Sequence, residues 1–458
     1  MSDERLEQLR NAVAEPSAPY GDGPVRVTRL KISNYKFFAG DFELDCNANN
    51  VLIYGENGTG KSSVYRALEY LTRTRFAGIA QDRNIFAGEG EPRIEFSFSN
   101  GTELLIHSDL EALPDSVDFL KGLAIFSPVL DYKKLLKIHF IPQANGELVN
   151  IYGMLRQLFK DFPVEHGRRL GDIEDFQEYF KTLENVVNGD LLGEINTLIR
   201  FFDDSFAVSR FRFTTKLVEG GIPEPRVHIE IDYRESLIDA YHTFLNEARL
   251  SALAISVYFA AIKKLLGTLT SDCLRILVLD DLLISLDMSN RLKLLEILKN
   301  EFSAFQIFFF THDKELFEIY KNKIPWEKYE LYLDDSGPIH SVIVKKGESA
   351  LERSKKFYAT KEYDACALLL RKEFEKVLKA YLSPRERMDR NCNELDLAAM
   401  IGKSIAKSSG EARTILRKLD SDRKHILNPL SHNDDRNIYA QEVKSAIADL
   451  EKLKNLLK

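Results

Sequence analysis

The stretch Asn50-Val-Leu-Ile-Tyr-Gly-Glu-Asn-Gly-Thr-Gly-Lys-Ser62 decides the reading of the whole chain. Asn50–Tyr54 is a short apolar run that ends at a glycine, the pattern of a buried strand. Gly55–Ser62 fits GxxxxGK[ST], and the residues from Lys61 to about Thr74 have a helical pattern. Strand, glycine loop and helix in this order form a phosphate cradle. Gly55, Gly58 and Gly60 let the backbone wrap and point its N–H groups inward, while the helix presents its positive end. Lys61 is placed to reach the β- and γ-phosphates, and the Ser62 hydroxyl to bind magnesium. Asn57 and Ser63 complete the candidate nucleotide contacts.

Two further strands end in chemistry. Ile276-Leu-Val-Leu-Asp280 brings one carboxylate to a sheet edge, which suits a magnesium partner. Asp281 follows and is placed to polarise an attacking water; the bland alternative is a polar strand terminus. Phe308-Phe-Phe-Thr-His312 ends in a histidine. By itself that residue is a core or capping histidine; after the other two motifs it reads as a γ-phosphate sensor. Arg275–Asp280 and Ala304–Phe310 read as parallel strands covered on both faces.

Working outward, residues 1–24 are polar and read as a mobile arm. Val25–Phe38 and Phe42–Cys46 read as strands, and Arg93–Phe98 and Glu103–Ile106 flank an Asn100-Gly101 hairpin turn. Residues 108–205 are mostly helical in pattern. Phe206–Thr215 and Arg226–Tyr233 read as strands, Leu237–Leu266 as one long helix, and Tyr329–Leu333 with Ser341–Lys345 as a closing hairpin. Beyond Ala350 the pattern is helical. Asp364–Leu382 carries Leu368, Leu370, Phe374, Val377, Leu378 and Tyr381 on an apolar stripe.

The chain has 458 residues, 44% hydrophobic and 29% charged, an ordinary globular balance for two or three domain-sized units. No apolar run reaches membrane-span length, and the charged N-terminus lacks a signal-like apolar segment, so a cytoplasmic protein is expected. Cys46, Cys273, Cys366 and Cys392 form no CxxC pair, which disfavours a zinc cluster or a disulfide framework. The net charge is −7, but residues after Ala350 carry 23 Lys and Arg against 17 Asp and Glu. The rest of the chain therefore carries −13, and any nucleic-acid surface must be local.

Together these residues resemble the ABC-type ATPases of the SMC/RecF group. Asn57 within Gly55–Ser62 is typical of that group, as is a first strand reading like Leu30-Lys-Ile-Ser-Asn-Tyr-Lys-Phe37. Ser285-Leu-Asp287 stands at its D-loop and Thr311-His312-Asp313 at its switch histidine. The resemblance covers about residues 25–110 and 225–348. It implies an α/β ABC-type head (25–348) with a helical lobe insertion at about 110–225, followed by an all-α C-terminal domain (350–458). ATP and Mg2+ are the implied cofactors, with Ser62 and Asp280 on the metal and Asp281 and His312 as catalytic residues. Phe244-Leu-Asn-Glu-Ala-Arg249 occupies the signature position, with Asn246 for serine and Ala248 for glycine. An Asn side chain can still donate to a γ-phosphate across a dimer interface. Asp287, at the D-loop position, is likewise a candidate nucleotide contact. Asp281 replaces the usual Glu and Leu282 the usual Pro, so slow hydrolysis is expected. Gln143 and Asp131 are both candidates for the Q-loop residue.

The family resemblance further implies at least a homodimer whose heads close on ATP. The segment of about residues 110–225 has no heptads, unlike the coiled-coil insert of SMC proteins. A compact lobe resembles RecF, or the short ATPases of bacterial defence operons such as the PtuA and AriA types. Three functions follow: a sensor or scaffold ATPase holding a separate nuclease effector, a RecF-like ATPase acting directly on DNA, or an ATP-gated RNase. The last rests on Arg423-Lys-His-Ile-Leu-Asn-Pro-Leu-Ser-His432, which resembles the HEPN motif at Asn428 and His432 but carries Leu427 where the arginine is expected. A degenerate HEPN-like assembly domain, a plain helical bundle and an active RNase all fit this tail. Nucleic acid is a candidate partner; a membrane is not.

Overall fold

The computed structural model describes residues 24–76, 78–126, 128–139, 148–217, 223–268, 273–282, 286–347, 349–389, 393–423 and 440–457. The chain divides into two compact units, Met1–Lys346 and Gly347–Lys458.

Strands β1 (Val27–Ser33), β2 (Asp41–Asp45), β4 (Arg93–Phe98) and β5 (Glu103–Ile106) form an antiparallel sheet in the order β2-β1-β4-β5. Their alternating burial gives this sheet one core face and one wet face. The main sheet runs β13-β12-β3-β11-β10-β6, built from β3 (Val51–Gly55), β6 (Val129–Asp131), β10 (Ile276–Asp280), β11 (Gln306–Thr311), β12 (Glu327–Asp334) and β13 (Ser341–Lys346). All neighbours are parallel except β12 and β13. Every residue of β3 and β11 is buried, as expected of strands covered on both faces. Gln306 and Thr311 are the polar residues of β11, and Gln306 joins the two sheets. Its amide donates to the carbonyls of Val27 and Asn49 and accepts from Val27 N–H at 2.7 Å, stitching the two sheets together.

The insert is not purely helical. β6 lies within it yet forms an edge of the main sheet, and β7 (Phe206–Leu217), β8 (Pro223–Tyr233) and β9 (Ser236–Ile238) form a separate antiparallel sheet. The expected long helix from Leu237 is also corrected. Ser236–Ile238 is strand, Tyr241–Phe244 is a single turn, and the helix proper is Glu247–Leu266. Two features override the apolar pattern there. Pairing of Ile231 with Ile238 recruits the segment to β8, and Asn246 caps the next helix by accepting from Arg249 N–H at 2.9 Å. The helix from Lys61 ends at Glu69 and continues as a 3-10 turn, Tyr70–Thr72, rather than running on to Thr74.

The second unit contains helices Ala350–Ala359, Tyr363–Tyr381, Leu397–Lys407, Gly410–Asp422 and Ala440–Leu456, packed around their own core. Leu370, Phe374, Val377 and Leu378 enter that core; Leu368, expected on the same stripe, is 46% exposed. Arg423 pairs with Asp420 at 3.1 Å. Leu427, Asn428 and His432 lie outside the described residues, as do Gln143, Ser285, Cys392 and the arm to residue 23. Among the described residues, no helix is long and apolar enough to cross a membrane.

Candidate nucleotide site

Parallel register brings four strand ends side by side. Thr311 is level with Tyr54, Phe310 with Asp280, and Asp280 with Asp131. The ends of β3, β11, β10 and β6 therefore form one polar rim on an otherwise apolar sheet, the edge where open α/β sheets bind ligands.

The loop after β3 has its shape because of its glycines. Gly58 and Gly60 have φ of +83° and +87°, a region that L side chains rarely adopt. A Cβ on Gly60 would also meet the Phe37 ring at 2.8 Å, and one on Gly55 the Thr59 hydroxyl at 2.5 Å. Lys61 is buried, and its Nζ donates to the carbonyls of Gly55 at 2.5 Å and Glu56 at 3.0 Å. Burial pulls the lysine pKa below its ordinary value, with Asp281 and Asp280 opposing the shift. Asn57 and Ser62 are exposed on the rim. Ser63 points elsewhere: it is buried and its Oγ accepts from Phe37 N–H at 3.2 Å, tying the first turn of the helix to the turn between β1 and β2.

Asp280 fits a metal. Its Oδ1 is buried with no hydrogen-bond partner, an arrangement that costs free energy unless a ligand satisfies it. Burial, and then the neighbouring Asp281, push its carboxyl pKa up to about 7. A divalent cation would restore the charged form, and the exposed Ser62 hydroxyl at the loop's end supplies a second oxygen donor of the kind Mg2+ takes. Asp131 stands across the strand pair from Asp280, and its Oδ1 accepts from Lys134 N–H at 2.9 Å. Asp131, one of the two Q-loop candidates, is therefore on the rim; Gln143, the other, lies outside the described residues.

Asp281 and His312 are brought together. Asp281 has φ of +49°, turning the chain sharply at the end of β10. Its Oδ1 accepts from His312 N–H at 2.9 Å and lies 2.8 Å from the same residue's Nδ1. An ionised carboxylate only accepts, so the proton of a neutral imidazole sits on Nδ1 and Nε2 is left as an acceptor.

The remaining candidates have structural contacts of their own. Asp287 caps the helix Met288–Glu301, accepting from Asn290 N–H and from the Ser289 hydroxyl at 2.8 Å; these bonds hold its carboxyl below the usual range. Asn246 is exposed at the start of its helix, with only its carbonyl oxygen engaged in the cap. Arg291 was not singled out from the sequence. Its Nε donates to Leu286 O at 2.7 Å and its Nη1 pairs with Asp313, so it joins the segment before Asp287 to the segment after His312. Its partner Asp313 is 22 residues away in the chain, so no local spacing signalled the clamp.

Residues 29–119 match the family described as AAA domain. No curated protein matches the chain. Among solved structures, the chain is similar to an SmcHead bound to the C-winged helix domain of ScpA, at 14% identity over 71% of this chain and 99% of that one, with a TM-score of 0.43. It is also similar to the SMC head domain from Thermotoga maritima, at 12% identity over 69% of this chain and 98% of that one, with a TM-score of 0.39.

Proposed function

We propose that the chain is an ATP-binding and slowly hydrolysing switch of the SMC/RecF type, whose heads close in pairs on ATP. The observation that carries this reading is the rim itself: a glycine phosphate loop, a buried carboxylate with an orphan oxygen, and a carboxylate–imidazole pair on adjacent strand ends.

The chemistry follows from the residues. Bound Mg2+ supplies charge neutralisation for the phosphates, and Ser62 and Asp280 are the residues that would hold it. Lys61 exchanges two carbonyl partners for phosphate oxygens, which compensates its burial. Asp281 keeps Oδ1 on His312 and turns Oδ2 to the attacking water as general base. A phosphate oxygen only accepts, so His312 senses it from Nε2 as the imidazolium, a donor at both ring nitrogens. Asp is one methylene shorter than Glu, so the water is held loosely and turnover is slow.

Asn246 belongs to the site of a second copy in this reading. Its carbonyl oxygen is committed to the helix cap, which leaves its NH2 group as donor toward a partner's γ-phosphate. ATP then acts as an adhesive between heads, and closure is the output. The compact insert and the separate helical unit support a sensor or scaffold role in a defence complex with a separate nuclease effector. Affinity purification from the native host, with and without ATP, tests that setting: co-purification of a nuclease supports it, and recovery of replication or repair proteins instead replaces it with the RecF-like reading.

A further inference from the structure

A basic surface of the first unit is built from residues outside the nucleotide rim. Three adjoining hollows of about 210, 460 and 590 Å³ share lining residues: Lys160 borders all three, Thr72 and Ala124 two, and Gln157 two. The shared residues make them one continuous groove. Eight Lys and Arg side chains line it against two carboxylates, Asp161 and Glu174, in a unit whose sequence is otherwise acidic.

The pairing pattern matters more than the count. Asp161 is already shared by Arg169 at 3.0 Å and Lys160 at 3.5 Å. Arg75, Lys137 and Arg156 are exposed and have no carboxylate partner among the described residues; Lys137 faces only the Gln157 amide at 3.5 Å. Such a row of uncompensated cations repels itself, so its natural complement is an extended polyanion. A small anion would satisfy one hollow and leave the others unmatched.

One end of the groove is aromatic. Tyr152, Phe176 and Tyr179 line the hollow that contains Arg156. Phe176 is 38% exposed and stacks on Phe180 at 5.3 Å, which fixes its free face. A duplex presents phosphates outward and keeps its bases stacked inside, so rigid rings beside the cations would have no partner on it. A single strand offers both phosphates and base faces.

We propose that this groove binds the backbone of a single-stranded nucleic acid, with Arg75, Lys137 and Arg156 on phosphates and Phe176 stacked on a base. The proposal does not depend on the ATPase reading. The groove lies instead at the far end of the phosphate-loop helix, where Thr72 closes its 3-10 extension, and along the helix Tyr132–His139 that follows Asp131.

The test is fluorescence anisotropy with the full chain and a labelled 20-nucleotide single strand, as DNA and as RNA, beside a duplex of the same sequence. Wild type is expected to prefer a single strand, with affinity falling as salt rises by a log–log slope of about −0.7 per phosphate contacted. Arg75→Glu/Lys137→Glu/Arg156→Glu should weaken binding at least tenfold and flatten that slope, while labelled ATP binds as before. Phe176→Ala should weaken it roughly tenfold with the slope unchanged. If the glutamate triple variant loses ATP binding, the glutamine triple variant takes its place with the same expectation. Binding unchanged in a variant that holds ATP overturns the proposal. So does preference for the duplex, or adsorption to phosphatidylserine vesicles with no affinity for any oligonucleotide.

Discussion

The carboxylate of Asp281 and the imidazole of His312 are 2.8 Å apart at the ends of neighbouring strands. A second bond, from His312 N–H at 2.9 Å to the same oxygen, fixes the pair through the backbone. The general base and the sensor are therefore one unit. Asp281→Asn is the informative substitution, because Asn tolerates the positive φ and keeps the backbone bond while removing the charge. It should lower kcat by about 100-fold or more with the KM for ATP held within about threefold. His312→Ala added to it should cost little further, since residues acting as a unit are not additive. Steady-state kinetics on the two single variants and the double variant check this; independent, multiplying effects would separate the two roles.

Asp280 carries a signed pH prediction. Its folded pKa, about 7, lies above the ordinary carboxylate range, so between about pH 4 and pH 7 the folded state binds more protons than the unfolded state. Its contribution to stability is present at low pH and is lost as pH rises through 7. Without nucleotide, Asp280→Asn should therefore stabilise the chain at pH 7.5, by on the order of a few kcal/mol. The same variant should weaken Mg2+-dependent ATP binding. Thermal melts of both proteins from pH 5 to pH 8 read this directly; a parallel pH dependence would show that Asp280 is not strained.

Asn246 has to be tested without breaking its helix. Asn246→Asp keeps the cap on Arg249 N–H but loses the NH2 donor and adds charge. It should match wild type in melting temperature and abolish ATP-driven association. Asn246→Ala should cost about 1 kcal/mol of stability through the lost cap. Association of the aspartate variant at wild-type levels would remove Asn246 from the trans site.

Arg291→Lys separates clamp from charge. A lysine cannot serve Leu286 O and Asp313 together as the guanidinium fork does. Hydrolysis should fall about tenfold, with ATP affinity of the isolated head unchanged and stability lowered by about 1–3 kcal/mol. Unaltered kcat in a folded Arg291→Lys protein would make the clamp purely structural.

β3, β10 and β11 were legible because they are continuous apolar runs, whereas β6 was not, because its three residues take strand form from pairing with β10. Lys61, Asp280, Asp281 and His312 were legible for the same reason: each follows such a run. What stayed hidden depends on partners distant in sequence. Ser63 could not be seen to serve Phe37, nor Asp287 to be engaged as a cap, from local pattern alone. β9 was read as helix because its three residues take their conformation from pairing with β8, and propensity does not record that pairing. The basic groove was invisible because its cations come from segments between residues 73 and 169 and sum to nothing in the head's overall acidity.

In this reading two heads close on ATP. Its most direct test is the mass of the purified Asp281→Asn chain by multi-angle light scattering, with and without Mg2+ and ATP, beside the same measurement on Asp281→Asn/Lys61→Ala. The Asp281→Asn protein should double its mass on adding ATP, and the double variant should not. An unchanged mass in a protein that demonstrably binds ATP, or equal association by the Lys61→Ala form, would contradict the account.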